Sequence, residues 1–172
     1  MIQSVKPRLQ TYFVKDDGIF PNSELPIVYY PGVLDLPHLF PALTIKNLFR
    51  KNNWSNSWKQ GIFTYHHYHS ITHEVLGIVK GETLLQLGGE NGITLFVERG
   101  DVLVIPAGVA HMNLGEENDI VCVGAYPDGK DYNMKYGKVR ERPTADENIA
   151  STPIPKTDPV FGNQRGLVKL WK

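Results

Sequence analysis

GIFTYHHYHSITHEVLGIVKG, residues 61–81, decides how this chain is read. Phe63, Tyr65, His67 and His69 alternate with Ile62, Thr64, His66 and Tyr68, a period of two that predicts a strand. Residues two apart in a strand share a face. His67 and His69 are therefore expected side by side, close enough for both imidazoles to reach one ion. Glu74 opens the next expected strand after a short turn and can face back toward them. Four of the six histidines fall within residues 66–73, a clustering that asks for a chemical reason.

Outward from this stretch the short period continues. Glu74 to Lys80 and Thr83 to Leu87 read as strands joined across Gly81-Glu82, and GGENG (88–92) reverses the chain into Ile93 to Val97. Val102 to Ile105, a turn through Pro106-Ala107-Gly108, a short piece at His111 and Ile120 to Tyr126 follow. Many short strands with Gly-rich turns predict an all-β antiparallel sandwich or barrel. Upstream, Pro7 to Val14 and Leu25 to Tyr30 read as extended. Asp35 reads as an N-cap with Pro37 in the first turn, and Leu36, Leu39, Phe40, Leu43, Leu48 and Phe49 keep helical spacing to about Lys51. Pro41 lies early enough to kink or restart that helix. Downstream, the basic run Lys130 to Arg142 is diluted by acidic residues and reads as a solvated linker. Residues 137–172 hold four prolines and read as an extended tail ending in a strand, Gly166 to Trp171. The length suits one domain over 1–172, with N-terminal strands and helix (1–59), a barrel core (60–127) and a Pro-rich tail (128–172).

The charge balance narrows the function classes. Lys plus Arg and Asp plus Glu are both 18, so the formal charge is zero and no broad basic field exists for nucleic acid or for a polybasic membrane anchor. The longest apolar stretch, Val102 to Ala110, is broken by Pro106, and the first ten residues lack a signal-peptide core, so a cytoplasmic location is expected. Cys122 is the single cysteine and reads as a buried structural thiol.

The expected chemistry is metal binding. With His67, His69 and Glu74 on one side and His111 arriving from a separate strand, three imidazoles and a carboxylate can surround one point. Such a set suits Fe, Mn, Ni, Co or Zn, lacks the thiolates of a zinc finger, and is too rich in nitrogen for Ca or Mg. Four protein ligands on a metal that prefers six leave two positions for a small molecule. His73 competes with Glu74 for the fourth place, with the mixed His/carboxylate set the commoner open site. His66 and Tyr68 fall on the opposite strand face. Phe63 and Tyr65 continue the inward face, and Tyr65, Tyr126 or His73 could supply an acid–base group.

These spacings resemble the cupin family. Its first motif, G-x5-H-x-H-x3-4-E-x6-G, is matched by Gly61, His67, His69, Glu74 and Gly81. Its second, G-x5-P-x-G-x2-H-x3-N, is matched by Gly100, Pro106, Gly108 and His111, while Gly115 stands where the final Asn belongs and Asn113 lies two residues earlier. The resemblance implies a double-stranded β-helix (jelly-roll) barrel with N-terminal extra strands and one helix. It also implies one divalent transition metal (Fe, Mn, Ni or Zn) on His67, His69, Glu74 and His111. Cupins include dioxygenases, decarboxylases, isomerases and non-catalytic binders, so the fold does not choose a reaction. Three expectations stand: a redox-active Fe or Mn enzyme using O2, a Lewis-acid isomerase or lyase, and a small-molecule or sugar binder with a structural metal. The terminal segments have no obvious core of their own and could cover sheet edges or cross to a second copy, giving a homodimer.

Overall fold

The structure is a computed structural model that describes residues 9–172. The elements run β1 (Gln10–Tyr12), β2 (Ile27–Tyr30), α1 (Pro41–Lys51), β3 (Trp54–Gln60), β4 (Glu74–Leu87) and β5 (Ile93–Glu98). They continue with β6 (Val102–Ile105), β7 (His111–Asn113), β8 (Ile120–Pro127), α2 (Thr144–Ser151) and α3 (Leu167–Leu170). All strand pairings are antiparallel, and the main sheet has the order β1-β2-β6-β4-β8-β3.

One strand organises the barrel. Where the sequence predicts two strands across Gly81-Glu82, the chain forms the single 14-residue β4. Its first half pairs with β6 and β8, and its second half with β5 and β7. Gly81 is where β4 leaves one sheet for the other. Its φ is +80°, and a Cβ built there would lie 1.9 Å from the Asp119 carbonyl oxygen, so only glycine serves at this bend.

Alternation along β4 explains why both faces are apolar. Leu76 and Ile78 point into the barrel with Leu85, Leu87, Leu103, Ile105 and Cys122. Val75 and Val79 point outward, where Ile45 and Phe49 of α1, Trp54, Val104 and Val123 form a second core. A strand buried on both faces reads as a continuous apolar run, as Val75 to Val79 does. Gly77 lets α1 settle close to the sheet, since a Cβ there would meet Ile45 at 2.8 Å and Phe49 at 3.0 Å.

The all-β barrel with one main helix forms as expected, with four local differences. Pro7 and Arg8 of the first extended piece lie outside the described residues, and β1 occupies Gln10–Tyr12. The main helix starts at Pro41 rather than after Asp35, because Phe40 turns left-handed (φ +55°) and Pro41 takes the first helical position. The expected C-terminal strand is instead the helical turn α3, which buries Leu167 and Trp171 against the outer core. Finally, β3 and α2 form where no element was expected. Among the described residues, no helix is long and apolar enough to cross a membrane.

Candidate metal centre

The segment between β3 and β4 carries His67 and His69, in a less regular form than the expected strand. The His67 N–H donates to the His111 carbonyl (3.2 Å), and the His111 N–H donates back (2.9 Å). Gly108 donates to the His69 carbonyl (2.8 Å) and Asn113 to that of Phe63 (2.9 Å). This short ladder sets His67 directly opposite His111, with ring centroids 4.1 Å apart, while His69 sits 5.8 and 5.6 Å from the two. Each histidine brings a ring nitrogen within 4.8 Å of the other two, and all three are buried. Glu74, at the start of β4, places Oε2 3.2 Å from His69 Nε2 and Oε1 3.4 Å from His111 Nε2.

Backbone carbonyls fix the imidazoles. His67 Nδ1 lies 3.1 Å from the Tyr65 oxygen, His69 Nδ1 2.6 Å from that of Asn133, and His111 Nδ1 3.0 Å from that of Val109. A carbonyl only accepts, so each Nδ1 carries a hydrogen and each ring turns its Nε2 inward. The Glu74 carboxylate faces two of these nitrogens, and His111 Nε2 is buried with no hydrogen-bond partner. Three ring nitrogens gathered this closely beside a carboxylate make a set that a cation could share. The three histidines can hold a metal ion.

The electrostatics distinguish the three histidines. Burial, reinforced by His111, pushes His67 down to about 3, which keeps its lone pair free. Burial alone would raise Glu74, but His69 and His111 together hold its carboxyl well below the usual carboxylate range. Burial likewise works against protonation of His69, and the Glu74 charge outweighs it, raising His69.

His73 is turned away from this point. Its Nδ1 accepts the Ala107 N–H (2.9 Å), its Nε2 reaches the Pro153 carbonyl (3.2 Å), and its ring lies 4.8 Å from Trp171. Burial lowers it to about 4, so it stays a neutral strut between the barrel and the tail. His66 packs beside Phe20 on the other side, as its strand position predicts.

The histidines open into a cavity of about 280 Å³. Phe63, Tyr65 and Tyr126 line it as the sequence allows. Tyr126 is buried, and its oxygen accepts the Trp58 Nε1–H (2.8 Å). Burial and the Glu74 charge push its phenol up, so it keeps its proton. The tail forms one wall of the mouth, which corrects the reading of 130–142 as a solvated linker: Tyr132, Met134 and Tyr136 all line the cavity. Their spacing of two was the available signal. Asn133 between them latches the segment, accepting the Ser70 N–H (2.8 Å) and donating to Ser70 Oγ (2.7 Å).

This constellation on an antiparallel barrel defines a class of protein. The sequence profile of the Cupin family matches residues 56–142, and the chain belongs to that family. It is also 42% identical over 163 residues to the uncharacterized protein YjlB of Bacillus subtilis (strain 168), covering 94% of this chain and 96% of that protein. Among solved structures it is similar to an acireductone dioxygenase from Bacillus anthracis with cadmium in its active centre. That likeness has 16% identity and a TM-score of 0.41, over 55% of this chain and 64% of the other. A variant of Bacillus subtilis oxalate decarboxylase is similar at 18% identity and a TM-score of 0.38, over 64% of this chain and 27% of that one. The chain thus spans less than two thirds of either structure.

Proposed function

We propose that this protein is a metal-dependent cupin that acts on a small organic molecule, with His67, His69, Glu74 and His111 as the ligands of one divalent transition metal. The carrying observation is that three imidazoles, each held at Nδ1 by a carbonyl, turn their free nitrogens to the point that Glu74 also faces. A bound metal would supply either O2 chemistry, if Fe or Mn, or carbonyl polarisation, if Zn or Ni. Beside it the protonated phenol of Tyr126 stands in the same cavity as a proton donor.

A second reading is a non-catalytic small-molecule binder with a structural metal. The orientation of His73 favours it, because among the described residues phenols are then the only further proton-transfer groups beside Glu74 in the lining. We further propose one domain over 1–172 that acts in the cytoplasm, with a second copy of the chain as its partner and neither nucleic acid nor membrane. A light-scattering mass of one chain would remove the dimer.

The test is elemental analysis of protein purified without chelator or affinity nickel, beside a His67→Ala/His69→Ala variant. About one Fe, Mn, Ni or Zn per chain, lost in the variant, is the expected result. Substrate turnover, O2 consumption and their absence then separate the readings. No metal in either protein after reconstitution would overturn both.

A further inference from the structure

Away from the histidines, two apolar patches on the outside of the barrel carry a complementary pattern of charge. On the sheet formed by β5, the second half of β4 and β7, Leu85, Leu87, Leu95 and Val97 fill the interior. The alternate residues turn outward. Leu114, just past β7, Leu84 and Phe96 make one row across that outer face, 47%, 48% and 48% exposed. Leu84 stands directly opposite Phe96, and the Leu114 N–H donates to the Leu84 carbonyl (2.9 Å). The next pair along this face is Glu82 opposite Glu98, two like charges that destabilise the sheet as it stands.

The second patch surrounds the start of α1, where Leu39, Phe40 and Leu43 are 75%, 74% and 54% exposed. Phe40 holds φ +55°, a conformation that glycine or asparagine adopts more readily. Neither the backbone nor water therefore accounts for an aromatic ring at this position, and such an outlier points to a contact. Lys46 and Arg50 follow Leu43 at three and seven residues, on the same helical face. Among the described residues, neither these two cations nor Glu82 and Glu98 form an ion pair.

The patches meet along one edge of the barrel. Arg99, the residue after Glu98, donates to the carbonyls of Leu36 (3.2 Å) and Pro37 (2.9 Å), and the Leu34 N–H donates to the Gly100 carbonyl (2.9 Å). The loop that carries Leu39 is thereby tied to the turn that ends β5. One patch is apolar with an acidic rim and the other apolar with a basic rim, so each matches the other and neither matches itself.

We propose that a second copy of the chain docks here about a two-fold axis. The Leu39, Phe40 and Leu43 patch of each copy covers the Leu84, Phe96 and Leu114 row of the other, and Lys46 and Arg50 meet Glu82 and Glu98 across the interface. This rests on the second copy proposed above, names its surface, and is independent of the metal. The two-fold counts both patches of each copy toward the about 800 Å² that a stable dimer buries per copy.

The test is sedimentation equilibrium of the full chain at low salt over a range of concentrations. The expected mass is two chains. Phe96→Ala and Phe40→Ala should each raise the dimer dissociation constant at least about thirtyfold, as the loss of a central aromatic anchor does. Phe13→Ala, 67% exposed outside both patches, should leave it within about twofold. The pair Glu82→Lys and Glu98→Lys should weaken the dimer, as should Lys46→Glu with Arg50→Glu. All four changes in one chain exchange the charges across the interface and should restore the wild-type constant within about threefold. A mass of one chain at every concentration overturns the second copy and this surface together. A two-chain mass that the aromatic variants leave unmoved keeps the dimer and overturns only the surface. Failure of the fourfold exchange to restore association overturns the pairing of one patch with the other, and masses that grow beyond two chains overturn the two-fold.

Discussion

Replacing Gly81 by Ala tests whether the bend in β4 holds the barrel together. Two terms add. Forcing an L residue to φ +80° costs about 1–2 kcal/mol. The added Cβ would also lie 1.9 Å from the Asp119 carbonyl, so the start of β8 must move by more than an ångström to clear the 3.0 Å that real Cβ contacts respect. That displacement strains the Gly81–Ile120 pairing and adds about 1–3 kcal/mol, as overpacking does. The total is about 2–5 kcal/mol. At about 2–4 °C per kcal/mol for a chain of this length, calorimetry should show Tm falling by about 4–20 °C. Gly18→Ala is the control, because Gly18 also has positive φ (+86°), yet a Cβ there would meet nothing within 4 Å. It should lose only the conformational part, about 1–2 kcal/mol. Equal Tm shifts in the two variants would refute the close approach as the reason for glycine at 81.

Phe49→Ala empties the contact between α1 and the outer face of β4, and denaturant titration should show a loss of about 3–5 kcal/mol. Asn133→Ala removes the latch to Ser70 that steadies the carbonyl holding His69. On the proposed metal site, zinc affinity measured by chelator competition should fall about tenfold. Cys122 is buried, and burial together with the Glu74 charge pushes its thiol up, so a thiol-reactive disulfide reagent at pH 8 should label it only when the protein is unfolded.

The convergence of His67, His69 and His111 was legible because side-chain direction in extended chain depends on parity alone, and parity survives the irregular pairing found between His69 and β4. Choosing Glu74 over His73 was harder from sequence, since the two are adjacent and the turn before β4 decides which faces inward. β3 was hidden by a bulge: the register shifts between Ser55 and Trp58, and Asn56 is left-handed (φ +57°), which breaks the alternation that marks a strand. The C-terminal misreading has a different cause. Leu167 and Trp171 are four residues apart, a separation that puts two side chains on one face of a strand and also on one face of a helix. Only the packing of both against the outer core selects the helical turn. α2 buries a single residue, Ala145, and so leaves no periodic pattern to detect.

The central place of β4 also governs when the molecule can fold. β2 finds its partner in β6, from Val28 to Val104, 76 residues later in the chain. β3 pairs with β8, from Trp54 to Pro127. During synthesis at about 5–20 residues per second, the N-terminal strands therefore wait about 4–15 s with open edges before their neighbours emerge. Such long-range pairing places the domain among slow, millisecond-to-second folders. The nascent chain, rather than the finished barrel, is where unpaired strand edges are most exposed to aggregation.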